Sequence, residues 1–141
     1  MSHTIGTPHI AQFGSDELKS RVLPPVLAGE KIAALAVTDP TGGSDVARLR
    51  NPPRPAGHPK IGHRDDGTYR IFGTKTFITS GMRADFYTVA VRTGGPGLGG
   101  ISLLMIERDA PGFSRTPLKK MGWWASDTAT LYFDDCPVPA E

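Results

Sequence analysis

Ile32-Ala33-Ala34-Leu35-Ala36-Val37 runs straight into Thr38-Asp39-Pro40-Thr41-Gly42-Gly43-Ser44-Asp45, and at this point the sequence changes character. The first six residues form a continuous apolar run of strand length. The next eight carry the Pro, Gly, Asp and Ser that close strands in turns. A buried strand feeding a loop is the expectation. Upstream of it the period is helical. Ser15 is placed to cap, Asp16 and Glu17 suit the positive end of a helix, and Leu18, Val22 and Leu23 share a face. Pro24-Pro25 and Gly29 are expected to stop that helix.

Downstream, apolar runs alternate with Gly and Pro. Thr68 to Phe72 and Thr74 to Thr79 flank Gly73, with Tyr69 and Ile71 on one face, and read as a tight hairpin. Phe86 to Thr93 alternates, which groups Tyr87, Val89 and Val91. Ile101 to Ile106 is apolar apart from Ser102, and Ala129 to Phe133 makes a last strand before Asp134-Asp135. Six strands without intervening helices predict a mainly β fold, an antiparallel barrel or sandwich preceded by a short helical segment. Leu49 to Asp66 fits none of these patterns. Pro52, Pro53, Pro55 and Pro59 each remove a ladder donor, so this stretch is expected to be an irregular loop. Pro137-Val138-Pro139-Ala140-Glu141 reads as an exit from the last strand.

The 141 residues suffice for one domain with a core. A formal net charge of +2, scattered along the chain, points to neither nucleic acid nor a membrane surface. Cys136, the only cysteine, excludes an internal disulfide, and no Cys/His spacing resembles a zinc site. Met1-Ser2-His3-Thr4-Ile5 lacks the basic and apolar regions of a leader. A cytoplasmic location, or a mitochondrial matrix location if the source is eukaryotic, is the expectation. The 17 Gly and 13 Pro suit many short elements and turns.

Three segments could carry chemistry. Thr38 to Asp45 offers unpaired backbone N–H groups and hydroxyls in one arc, and both an ordinary surface turn and a binding loop fit that composition. In Phe77-Ile78-Thr79-Ser80-Gly81, Phe77 can be core, or it can present a ring face beside a hydroxyl donor. Trp123 and Trp124, adjacent in an expected strand, should point to opposite faces, one into the core and one toward an interface or pocket. His3, His9, His58 and His63 read as surface residues. Gly94 to Gly100 precedes an apolar strand instead of opening a helix, which rejects a dinucleotide fingerprint.

Taken in order, these segments resemble the acyl-CoA dehydrogenase family. Ala36 to Asp45 is similar to its first signature, and Gly73-Thr74-Lys75-Thr76-Phe77-Ile78-Thr79-Ser80-Gly81 is similar to its second. Pro111-Gly112-Phe113, Lys120-Met121-Gly122, Ala125-Ser126-Asp127-Thr128, Phe133 and Val138-Pro139 resemble the run to the end of its middle domain. The resemblance implies that 1–31 ends an N-terminal helical domain and that 32–141 is the middle β-domain. It implies FAD as cofactor and acyl-CoA as substrate. Hydride would pass from the β-carbon to flavin N5 to give a trans-2-enoyl-CoA, and electrons would go on to an electron-transfer flavoprotein. Carried over by position, Leu35, Val37 and Thr38 would lie against the pyrimidine side of the flavin, with Thr38 and nearby backbone donors directed at N1 and O2. Gly43 and Ser44 would belong to the same loop, with Ser44 also touching the acyl-CoA. Phe77, Ile78 and Thr79 would pack along the ring, the Thr79 hydroxyl near N5.

Some positions depart from the family pattern. Asp39 stands where Glu is usual, Phe77 where Trp is usual and Arg48 where a small residue is usual, and Leu49 to Asp66 is longer than the family's connection. The resemblance also implies that the catalytic carboxylate belongs to C-terminal helices this sequence does not include. The chain alone is therefore expected to be nearly inactive, with no catalytic residue of its own, and the full subunit is expected to form homo-oligomers. An acyl-CoA oxidase or flavin monooxygenase on the same scaffold, or a non-catalytic truncated module, are the competing readings.

Overall fold

A computed structural model describes residues 5–42, 45–49, 63–65 and 67–140. Two helices, α1 (Pro8–Phe13) and α2 (Asp16–Leu27), precede seven strands: β1 (Ala33–Ala36), β2 (His63–Asp65), β3 (Thr68–Thr79), β4 (Phe86–Arg92), β5 (Ile101–Glu107), β6 (Phe113–Pro117) and β7 (Thr128–Pro139). They form a three-stranded sheet, β1-β4-β5, and a four-stranded sheet, β2-β3-β7-β6. Ile71, Ile78, Leu131, Phe133 and Val138 of the larger sheet meet Tyr87, Val89, Val91, Leu104 and Ile106 of the smaller one in a single core. The predicted mainly β sandwich is what forms, with one parallel pair inside it, β1 beside β4.

Both faces of β4 are covered, which accounts for its run of six buried residues. Tyr87, Val89 and Val91 face the other sheet. Phe86, on the opposite face, packs with Ile10, Leu18, Val22, Val26 and Ala33 in a second cluster under the helices. Thr88 satisfies its hydroxyl there by donating to the Gly6 carbonyl at 2.7 Å. The Leu18 amide donates to Ser15 Oγ at 3.1 Å, the expected cap. α2 nevertheless passes through Pro24 and Pro25 to Leu27, because Val26 lies on the same buried stripe as Leu18 and Val22 and its packing outweighs the lost donors.

The structure departs from the sequence reading in five other places. Gly73 does not turn a hairpin. β3 runs unbroken from Thr68 to Thr79 and pairs with β7, and Gly73, at φ 133°, sits where the register between them slips. β6 was not anticipated, because Phe-Ser-Arg-Thr-Pro does not alternate as a half-buried strand should. It is an edge strand on β7. β7 does not stop before Asp134 but reaches Pro139. Beyond Asp134, whose amide still donates to the Gly112 carbonyl, its described ladder partner is β3 alone, so Pro137 and Pro139 need give up no ladder donor on the free side. Trp123 and Trp124 are not in a strand. Both are exposed in the β6–β7 connection, at 83% and 73%. Of the stretch expected to be an irregular loop, Leu49 is buried just after a 3-10 turn at 46–48 and 63–65 form β2, while 50–62 and 66 lie outside the described residues.

Candidate functional site

Past Ala36 the chain leaves the sheet, and β3 takes over its support. The Thr76 amide donates to the Thr38 carbonyl at 2.9 Å. Lys75 Nζ donates to the Val37 carbonyl at 3.0 Å and reaches Asp39 Oδ1 at 2.6 Å. Both side chains of this ion pair are 3% exposed, and Asp39 Oδ2 is buried without a hydrogen-bond partner. Burial pulls the Lys75 pKa below its ordinary value, while the hydrogen bond and charge of Asp39 act against that shift. The buried pair was not foreseen from the sequence. The available signal was parity: in β3, Lys75 falls on the same face as core residue Ile71.

Just beyond Lys75 the strand bulges. Lys75 lies opposite Leu131 and Ile78 opposite Ala129, so β3 spends one residue more than β7 over this interval. Phe77, at φ 58°, takes up the extra residue in the left-handed region that bulky side chains avoid. The bulge resets the alternation. Lys75, Ile78 and Ser80 turn inward, and Phe77 and Thr79 are displayed outward, Phe77 at 69% exposure.

The turn that follows holds this display rigid. Ser80, at φ 60°, donates its amide to the Asp127 carbonyl at 3.0 Å. Asp127 Oδ2 accepts from the Met82 amide and Oδ1 from Arg83 Nε, both at 2.7 Å. Burial raises the Asp127 pKa, but these donors together outweigh it and leave the carboxyl below its usual range. Tyr87 Oη donates to the Gly81 carbonyl at 2.8 Å. A Cβ on Gly81 would lie 2.6 Å from Ala129 Cβ and 2.8 Å from the Ile78 oxygen, so only glycine lets the turn close here.

The site residues expected from the sequence therefore divide into groups. Val37 and Thr38 are half-buried and joined to β3 one residue before Phe77, and Phe77 and Thr79 lie outward on the same strand. Ile78 is 2% exposed, its side chain in the core, so it can offer a ligand only its backbone. Leu35 is half-buried in β1 opposite Thr88. Gly43 and Ser44 lie outside the described residues. Nearby, Lys120 Nζ closes the β6–β7 connection by donating to the carbonyls of Trp123, at 2.9 Å, and Ser126.

Among the described residues the hydroxyls of Thr38 and Thr79 have no hydrogen-bond partner. An exposed aromatic ring on the same strand as the exposed Thr79, with Thr38 joined to the residue before that ring, fits a planar ligand with a polar rim. It does not fit a metal ion, for which no group of His, Cys, Asp and Glu is assembled among the described residues. No described helix is long and apolar enough to cross a membrane.

Residues 34–136 match the family model described as acyl-CoA dehydrogenase, middle domain. The mitochondrial isobutyryl-CoA dehydrogenase of Bos taurus is 40% identical over 131 residues, which cover 92% of this chain and 29% of that protein. The crystal structure of a probable acyl CoA dehydrogenase from Mycobacterium abscessus superposes with a TM-score of 0.88 at 54% identity, over 99% of this chain and 35% of that one. A glutaryl-CoA dehydrogenase from Mycobacterium smegmatis, solved in complex with FADH2, gives a TM-score of 0.79 at 32% identity over 93% of this chain and 31% of that one. The chain thus spans about a third of the length of the relatives it matches.

Proposed function

The chain belongs to the acyl-CoA dehydrogenase family, and we propose on that premise that it forms the flavin-facing middle part of an enzyme that takes hydrogen from the α- and β-carbons of an acyl-CoA thioester. In this reading 1–31 close a helical domain and 32–141 make the β-domain. When bound, FAD supplies the acceptor for the β-hydride. The outward strip of Phe77 and Thr79 beside Val37 and Thr38 carries the proposal, because it is the exposed surface where ring and hydroxyls converge on a rigid strand.

Each residue then has a role. Phe77 lies against the flavin ring and keeps water from one edge. Thr79 donates its hydroxyl toward the hydride-accepting side. Thr38 donates toward the side where negative charge gathers on reduction, and a fixed donor there favours the reduced state. Leu35 and Val37 shape the apolar margin, and the backbone of Ile78 completes it. By the resemblance, Gly43 and Ser44 also contact the flavin, and Ser44 also meets the acyl-CoA. Electrons leave to an electron-transfer flavoprotein, and the complete subunit assembles as a homo-oligomer.

None of the carboxylates engaged at this site has the freedom to take the α-proton. Asp39 is sealed against Lys75, and Asp127 holds the turn after β3. A base contributes on the order of 10²–10⁴-fold to such a step, so the 141-residue chain alone is expected to bind flavin without turning over acyl-CoA at an enzymatic rate. The test is a titration of FAD with the purified chain, followed by flavin fluorescence and the visible spectrum. Quenching that Phe77→Ala and Thr79→Ala weaken is the expected result. No change in either signal up to about 100 μM chain would reject the reading.

A further inference from the structure

We propose that Lys75 and Asp39 are positioning residues for the Thr38 end of the site, a role that rests on the flavin reading above. β1 ends at Ala36, so no ladder fixes residues 37–39. Among the described residues, three contacts tie them to two consecutive residues of β3: Lys75 Nζ to the Val37 carbonyl, Lys75 Nζ to Asp39 Oδ1, and the Thr76 amide to the Thr38 carbonyl. Thr38 is thus held between two neighbours that share one ammonium group.

A pair serving stability alone need touch only its partner. This ammonium also holds a main-chain carbonyl, and so fixes the path of the backbone that presents the Thr38 hydroxyl. The pair is sealed from water, and one oxygen of Asp39 already lacks a partner. Removing Lys75 leaves that carboxylate with no donor, and residues 37–39 must move to bring it to water.

The experiment separates position from stability by removing both charges. In the 141-residue chain, Lys75→Met should lower the urea midpoint. The double variant Lys75→Met with Asp39→Leu should recover most of it, because apolar groups of similar size replace the pair. Recovery of stability should not restore the site. FAD affinity in the double variant is expected to stay down by at least about tenfold. The Thr76 amide should exchange with solvent at least about tenfold faster than in the parent, while the Val89 amide of β4 keeps its rate. Parental FAD affinity, or a parental exchange rate at Thr76, in the double variant overturns the assignment. If the parent chain itself binds no FAD, the flavin reading falls, and exchange at Thr76 alone decides whether the pair positions this segment.

Discussion

β4 and β3 cross the same core and are built in opposite ways. β4 pairs with β5 through seven consecutive partners without a slip, and its first six residues are buried. β3 pairs with β7 through two register shifts, carries a buried lysine, and bends one bulky residue into the left-handed region. The regular strand anchors the sandwich, and the irregular one exposes a surface. A regular β3 would alternate strictly, and Phe77 and Thr79 would then share a face with the buried Lys75. The bulge is what allows a buried charge and an outward aromatic two positions apart, where strict alternation would put them on one face.

The comparison breaks first at Lys75. Lys75→Met strips Asp39 of its donor, and moving residues 37–39 to hydrate that carboxylate should cost about 3–5 kcal/mol in urea denaturation. A cost near zero would mean that the pair is not sealed from water. Phe77→Gly tests whether the bulge is strained. Phe77 gives up little packing, and glycine is at ease at φ 58°, so stability should rise by about 1 kcal/mol while FAD binding weakens. Tyr87→Phe is its counterpart in β4. Losing the hydroxyl that holds the Gly81 carbonyl should cost about 1 kcal/mol. It should alter FAD affinity only through the turn, and so by less than Phe77→Gly does.

The smallest effect concerns pH. The donors from Arg83 and Met82 hold the Asp127 carboxyl below the ordinary aspartate range. Its contribution to stability is therefore complete above the ordinary value and is lost as pH falls through the depressed one. Asp127→Asn should flatten the acid limb of a urea-midpoint profile taken from about pH 5 to about pH 2. An unchanged limb would mean that Asp127 does not hold the turn.

Regular elements are more legible in this sequence than irregular ones. β1, β4 and β5 stand out because apolar runs of strand length between turn residues fit few other structures, and the Ser15 cap stands out because its chemistry is local. β6 does not, since an edge strand can be polar on both faces. A glycine between two alternating runs, as at Gly73, is consistent with either a hairpin or a slip in register, and only the partner strand decides between them. Of the proposed site, the resemblance points to Thr38, Phe77 and Thr79 without showing how they are held. Lys75 lies within one of the matching motifs, but its burial is hidden there, because its partner lies 36 positions away and a buried lysine is rare enough to be discounted. That Ile78 points inward follows from the bulge, which no local pattern announces.

The parallel pairing of β1 with β4 bears on how the chain reaches this structure. Ala33 pairs with Phe86, and the Ile32 amide meets the Asp85 carboxylate 53 positions away. Everything from Val37 to Thr79, all of the proposed site except Leu35 of β1 itself, lies inside the loop which that pairing closes. Closing it costs chain entropy before any contact compensates, so β4 and β5, joined by a short connection, should pair early in refolding and β1 should dock late. The ion pair and the outward strip then form in the last step, and ligand-dependent signals in a refolding experiment should lag behind burial of Tyr87.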